Sequence, residues 1–273
     1  MTDRSPTVLT IAGTDPTGSA GILADVKTIS ALGGYALPVV TAVIAQNSYR
    51  VLRRLPVAAE MIFAQLEAVR EAMPIDAIKI GLLPSVESVQ AVSSFLMQMK
   101  QSGPIVVLDP VLQASTQQCL ADDVVSCIMR EHIFPYVSLV TPNLSESARL
   151  LERDVAQTRN EMILQAEALR KLGIANVLLK GGHLSTENVS SDLLVTEDDT
   201  RRWYEVERIV TSHDRGTGCT LASALAFFLI DHTMQDAVGL AKNYVTQTLR
   251  TANELQLVVT RGPLNHFNYS KVS

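Results

Sequence analysis

A chain of 273 residues has room for one large or two small domains and buries a sizeable core without staples. Apolar residues make up 47% and charged residues 19%, which excludes a disordered chain. The net charge of -5, with no block of five like charges, argues against a nucleic-acid or anionic-membrane partner.

Three cysteines, Cys119, Cys127 and Cys219, form no CxxC pair, so neither a disulfide framework nor a zinc site is suggested. A reducing, cytoplasmic compartment fits this usage. The start, MTDRSPTVLTIAG, does not read as a signal peptide, and no run approaches the ~20 apolar residues of a spanning helix.

Along the chain, apolar runs of strand length alternate with helical patterns. TVLTIA (7–12) reads as a first buried strand, followed by a helix over 20–32. LPVVTAVIAQ (37–46) is a second strand and 58–72 a helix. IDAIKIG (75–81) is a strand, 85–101 a helix and PIVVLDP (104–110) a strand. A helical stretch then leads to the strand VSLVTPN (137–143). The helix over 158–172 carries a capping box of Thr158 and Glu161, and Gly173 stops it. IANVLLKGG (174–182) follows as a strand, the more polar 184–210 as a small antiparallel edge, and 217–231 and 234–254 as closing helices.

Strands apolar throughout, separated by helices of ten or more residues, predict a parallel sheet covered on both faces. With no composition break, linker or repeat, 1–273 reads as one α/β domain. Ligands of such folds sit outside the carboxyl ends of the strands, and those ends are the polar, glycine-bearing segments here.

Five segments carry candidate chemistry. GTDPTGSAGILADVK (13–27) places Gly13, Gly18 and Gly21 at a strand-to-helix turn, with Asp25 in the helix's first turns. A tight turn with a favourable charge is the plain structural alternative. It is not a P-loop, because Ser19 and Ala20 follow Gly18. RGTGCTLASALAFFLI (215–230) runs a glycine-bracketed loop into an apolar helix, whose first N–H groups suit an anion or a transferred phosphoryl group. Cys219 falls in its first turn, where a thiolate is favoured, although small buried cysteines are commoner. TPNLSE (141–146) offers Asn143 and Glu146 either to a largely hydrated magnesium ion or as an N-cap and its capping-box partner. Asp109 ends an apolar strand in LDP, and Lys180 with two glycines in KGGH suits a phosphate.

In this order the segments resemble the hydroxymethylpyrimidine/phosphomethylpyrimidine kinases of thiamine biosynthesis, a branch of the ribokinase-like superfamily. The resemblance runs from about Leu9 to Phe267 through AGTDPTGSAGILADVKT, TAVIAQN, IKIGLL, VVLDPV, VTPNLSE, LLKGGH, RGTGCTLASALA and GPLNHF. It implies a three-layer α/β/α sandwich with a mostly parallel central sheet. It also implies ATP-dependent phosphorylation of an aminopyrimidine methanol or its monophosphate. Gly13 would bond the pyrimidine through its backbone, Asp25 and Gln46 would read its ring nitrogen and amine, and Leu82 and Val111 would form its wall. Asp109 and Glu146 would organise Mg2+, with Asn143 nearby, and Lys180 would meet the ATP phosphates. Gly216, Thr217 and Gly218 would form an anion hole, with Cys219 as base on the hydroxyl. Family members often form homodimers, so a homodimer is one assembly the resemblance allows.

Three departures from the family pattern stand out. Leu82 replaces the usual Met on the pyrimidine wall. The segment LQASTQQCL (112–120) lacks the usual glycine and predicts a stiffer flap over the phosphates. Asp214 and Arg215 replace Thr-His before GTGC, and Arg215 is expected either to favour a phosphate already on the substrate or to point to solvent. The competing readings are a pyridoxal kinase and a non-catalytic pyrimidine- or ATP-binding protein.

Overall fold

The computed structural model describes residues 4–101, 103–112, 123–182, 184, 189–257 and 260–271. Of the segment 112–120 only Leu112 falls among them, so the expectation of a stiff flap, with Cys119, lies outside the described residues, as does His183.

The nine described strands join one sheet in the order β3-β2-β1-β4-β5-β6-β7-β8-β9. The parallel core consists of β1 (Thr7–Gly13), β2 (Tyr35–Gln46), β4 (Ala77–Ile80), β5 (Ile105–Leu108), β6 (Leu139–Val140) and β7 (Val177–Lys180). An antiparallel strand or pair flanks it on each side. β3 (Val51–Pro56) pairs with β2, while β8 (Val189–Val195) and β9 (Arg201–Glu207) extend the sheet beyond β7.

Period-two alternation sends the two faces of each strand to different cores. Leu9, Ile11, Ile78, Ile80, Val106, Leu108, Val177 and Leu179 pack beneath α2 (Ala59–Ala72), α3 (Val86–Met99), α4 (Asp123–His132), α5 (Leu144–Leu151) and α6 (Arg159–Arg170). Val8, Ala77, Val107 and Leu178 face α1 (Gly21–Ala31), α7 (Thr217–Phe228) and α8 (Met234–Arg250). The result is the three-layer sandwich expected from the all-apolar strands. The same alternation places Thr10, Lys79 and Lys180, each two residues beyond Val8, Ala77 and Leu178, on the α7 side of the sheet.

Helix α7 is buried nearly all round, from Thr220 through Ala226 and at Phe228. The capping box of α6 forms as expected: Glu161 N–H donates to Thr158 Oγ1 at 3.2 Å and Thr158 N–H to Glu161 at 3.2 Å. Three elements differ from the sequence reading, which has no helix where α5 (Leu144–Leu151) forms. β3 was missed because VLRRLP is an exposed edge strand with two arginines and no apolar face to read. The strand expected over 137–143 shrinks to β6, because Pro142 interrupts the ladder and Asn143 caps α5.

Candidate active site

The carboxyl ends of β1, β2, β4, β5 and β7 meet the N-terminus of α7. Gly216 fixes that junction. Its φ is +85°, and a Cβ there would lie 1.9 Å from the Ser19 carbonyl oxygen, so only glycine fits. The Thr217 hydroxyl turns back to donate to the Asp214 carbonyl at 2.6 Å. The helix ladder begins with Thr220 N–H onto Gly216 at 2.8 Å. The N–H groups of Thr217, Gly218 and Cys219 therefore stand outside it, at the positive end of the helix dipole.

Lys180 leaves β7 toward this helix end. Its ammonium donates to Asp109 Oδ1 at 2.8 Å and lies 3.9 Å from Glu146 Oε2. A Cβ on Gly218 would be 3.3 Å from Lys180 Nζ and 3.5 Å from Asp109 Oδ2, so helix end, lysine and aspartate converge within one contact. Burial pulls the Lys180 ammonium down, but Asp109 and then Glu146 outweigh it and hold it above its ordinary value. Burial pushes the Glu146 carboxyl up to about 7, against the pull of Lys180. Asn143 and Glu146 do form a reciprocal cap: Glu146 N–H donates to Asn143 Oδ1 at 2.9 Å and Asn143 N–H to Glu146 Oε2 at 2.7 Å. The capping reading of TPNLSE therefore holds for both residues, with Glu146 Oε2 also 3.9 Å from Lys180 Nζ.

Gly13, Leu82 and Val111 gather at one apolar corner. Ala42, Ile44 and Leu82 cluster with Val51 and Val111, and a Cβ on Gly13 would meet Ile44 Cδ1 at 3.0 Å and Leu82 Cδ2 at 3.2 Å. Gln46, half-buried at the end of β2, lies beside this corner, paired in register with Val51.

Three residues have surroundings that the sequence reading did not anticipate. Asp25, expected on the pyrimidine edge, is fully buried. Its Oδ2 accepts from Thr10 Oγ1 at 2.6 Å and Lys79 Nζ at 2.8 Å, and its Oδ1 from Ser223 Oγ at 2.9 Å. Its place three to four residues into α1 turns it under the strands rather than toward their ends. Cys219 is not a ready thiolate. Burial pushes its thiol up to about 11; Lys79 and a Gly21 N–H bond pull it down, while Asp25 and Asp109 oppose them. Arg215 neither points to solvent nor stands free. It is 1% exposed, with its guanidinium on Asp15 at 3.1 Å and on the Asn47 carbonyl, while its Nε has no partner among the described residues. It borders a cavity of about 370 Å³ with Thr17, Ser19, Ser48, Tyr49 and Arg261, the last paired with Asp214.

Two residues of the site were missed in the sequence. Lys79 interrupts the apolar strand AIKI, and that anomaly alone signals a buried partner. His266 of the terminal NHF motif backs the first turn of α7, with Nε2 3.0 Å from Thr220 Oγ1; burial pulls its imidazole down to about 4 and keeps it neutral.

The chain is similar to known proteins along nearly its whole length. The phosphomethylpyrimidine kinase family model matches residues 15–265. The chain belongs to this family. A hydroxymethylpyrimidine/phosphomethylpyrimidine kinase from Escherichia coli is 41% identical over 261 residues, covering 95% of this chain and 97% of that one. Among solved structures, phosphomethylpyrimidine kinase from Clostridium difficile matches with a TM-score of 0.76 and 32% identity, over 89% of this chain and 99% of that one. A pyridoxal kinase from Bacillus subtilis, solved as an ADP complex, matches with a TM-score of 0.86 and 26% identity over 99% of this chain and 100% of that one. The kinase therefore shares its ribokinase-like sandwich with both vitamin kinases, but more of its sequence with the pyrimidine enzymes. None of the described helices is long and apolar enough to cross a membrane.

Proposed function

We propose that this kinase transfers the γ-phosphoryl group of ATP to a hydroxymethyl aminopyrimidine, to its monophosphate, or to both, in thiamine diphosphate biosynthesis. The observation that carries the reading is the convergence of Lys180, Asp109 and the free N-terminus of α7. Such a cluster holds phosphate and stabilises charge developing on a transferred phosphoryl group. Membership of the family and the 41% identical E. coli relative name the acceptor. The chain acts as one domain over 1–273 in the cytoplasm, a reading supported by the single sheet and by the free thiols Cys127 and Cys219.

The apolar corner of Gly13, Leu82 and Val111 receives the pyrimidine face, and Gln46 supplies an amide for its edge. Asp25 stays beneath the site as a brace. The hydroxymethyl oxygen attacks the γ-phosphorus in line, with Lys180 and the N–H groups of Thr217, Gly218 and Cys219 meeting the phosphoryl oxygens. Cys219 takes the hydroxyl proton from its thiolate fraction, a minor fraction at neutral pH. In a loose transition state that proton leaves late, so a scarce base suffices.

Magnesium suits the oxygen donors here. Asp109 and Glu146 are two hard carboxylates beside the phosphate lysine, and no group of three ligating side chains occurs among the described residues. Magnesium typically takes one or two carboxylates and completes its shell with water and substrate phosphate. Bound there, it would neutralise charge on the phosphates.

Pyridoxal is the second acceptor to test, because the B. subtilis pyridoxal kinase shares the whole fold. Product analysis with ATP, magnesium and each of hydroxymethylpyrimidine, its monophosphate and pyridoxal decides. Phosphorylation of a pyrimidine is expected; turnover of pyridoxal alone would overturn the assignment, and no transfer to any acceptor would favour a binding protein.

A further inference from the structure

Lys180 stands at the very end of β7, opposite Asp192 of β8 in the antiparallel register. A lysine at a strand end is held only as well as the backbone that follows it, and here that backbone is tied down. Asp192 Oδ1 accepts from the Gly181 N–H at 3.0 Å, and its Oδ2 accepts from Lys242 Nζ of α8 at 2.6 Å. Both charged residues are buried, each 7% exposed. Gly181 has no slack: a Cβ there would meet the Ser191 carbonyl oxygen at 2.2 Å. On the other side the Lys180 N–H donates to the Pro142 carbonyl at 2.9 Å, at the turn that leads into Asn143 and Glu146.

Burying an ion pair is a poor way to stabilise a fold, because desolvation cancels most of the attraction. An apolar pair would fill the space between β8 and α8 as well. What apolar residues cannot do is accept the Gly181 N–H in a fixed direction. We infer that Asp192 and Lys242 are positioning residues for the phosphoryl-transfer reaction: Lys242 orients the Asp192 carboxylate, the carboxylate fixes Gly181, and Gly181 fixes the direction in which Lys180 leaves the sheet. The inference rests on the assignment of Lys180 to the ATP phosphates in the proposed function. It adds a chain of control that runs from α8 to the site and touches no substrate.

The experiment measures KM for ATP, KM for the pyrimidine acceptor, kcat and thermal unfolding in one set of variants. Lys180→Met is the reference for the site itself. Asp192→Leu/Lys242→Met removes the pair without leaving a buried charge. Its expected signature is a loss of about ten- to a hundredfold in kcat/KM for ATP, up to what an ångström of misplacement produces, with KM for the pyrimidine unchanged. Lys242→Arg, which keeps the ion pair, retains most of the activity. Asp192→Glu keeps the charge but shifts the carboxylate, and serves if the double variant does not fold; the same ATP-selective loss is expected. Normal kcat/KM for ATP in either folded variant overturns the inference, as does a loss shared equally by both substrates that follows the melting temperature. If Lys180→Met itself leaves ATP kinetics untouched, the reading of the site fails first, and the two failures are told apart.

Discussion

Two lysine–aspartate pairs sit on the same face of this sheet, the one toward α7, at the same distance. Lys79 holds Asp25 at 2.8 Å and Lys180 holds Asp109 at 2.8 Å. Their surroundings differ. The first pair is sealed, both side chains at 0% exposure, and its aspartate is satisfied by Thr10 and Ser223 as well. In the second pair the lysine side chain retains 15% exposure and faces the glycine end of α7. One pair joins β1, β4, α1 and α7 into a rigid floor; the other offers its ammonium to a ligand. Position in a motif does not separate them, since both aspartates belong to stretches typical of the family. Burial does.

Removing one partner from the sealed pair is expected to produce the largest effect. Lys79→Met leaves an uncompensated carboxylate in the core, at a cost of about 3–5 kcal/mol in stability. Denaturant unfolding measures it, and Lys79→Met/Asp25→Leu should restore much of the loss. A Lys79→Met protein as stable as wild type would show that Asp25 reaches solvent and is available to a ligand after all.

The open pair should respond in activity instead. Lys180→Met is expected to lower kcat/KM for ATP by ~10²–10³-fold, as loss of a preorganised charge at the phosphoryl group does. The melting temperature should fall less than in Lys79→Met, because the lysine is partly solvated, although Asp109 and Glu146, both buried, lose the cation they share. Steady-state kinetics beside calorimetric melting sharpens the contrast: stability falls with Lys79, catalysis with Lys180.

Arg215 tests whether a third cation belongs with the sealed or the open class. Its burial and its contacts with Asp15 and Asn47 put it with the sealed one. Asp15 keeps Thr17 and the Ala20 N–H as partners, at 2.9–3.0 Å. Arg215→Ala should therefore cost about 1.5–3 kcal/mol, the range for a hydrogen bond to a charged group. The ratio of kcat/KM for the monophosphate over the free alcohol should stay the same. A fall in that ratio would return Arg215 to substrate selection.

Much of the fold was legible because a parallel sheet writes itself as apolar runs between helices, and the α6 cap and the glycines of GTGC could be read from residue type alone. Gly216 is the clearest case: its φ and the Ser19 carbonyl both demand glycine. What escaped was the destination of polar side chains. The family resemblance put Asp25 on the pyrimidine, while the residues alone left a tight turn with a favourable charge open; the strand alternation that places Lys79 and Thr10 beneath it makes it a brace. Arg215 was read as a free charge because its partners, Asp15 and Asn47, lie about 200 and 170 residues away in sequence. Helix-end logic misjudged Cys219 for a related reason. The dipole of α7 favours a thiolate, but Cys219 is half-buried at the helix end and desolvation pushes its thiol up to about 11.

That balance at Cys219 yields the smallest and most diagnostic effect. The groups facing its thiol are Lys79 from β4, Asp25 from α1, Asp109 beyond β5 and Lys180 from β7. With the thiol pushed up to about 11, its ionised fraction lies far below one half at neutral pH and grows about tenfold with each pH unit until that value is approached. If Cys219 takes the hydroxyl proton, kcat must climb with pH across the range from 7 to 9 rather than reach a plateau near neutrality. A Cys219→Ser variant, whose hydroxyl does not ionise in that range, should show a low and nearly flat profile. Asp25 sharpens the test through its charge: Asp25→Asn removes a carboxylate that raises the thiol and leaves Lys79, which lowers it, so the profile should shift toward lower pH, opposite to the shift that burial alone would give. A wild-type kcat that is flat from pH 7 to 9, with Cys219→Ser parallel to it, would leave the thiol as packing at the helix end and move the base elsewhere in the site.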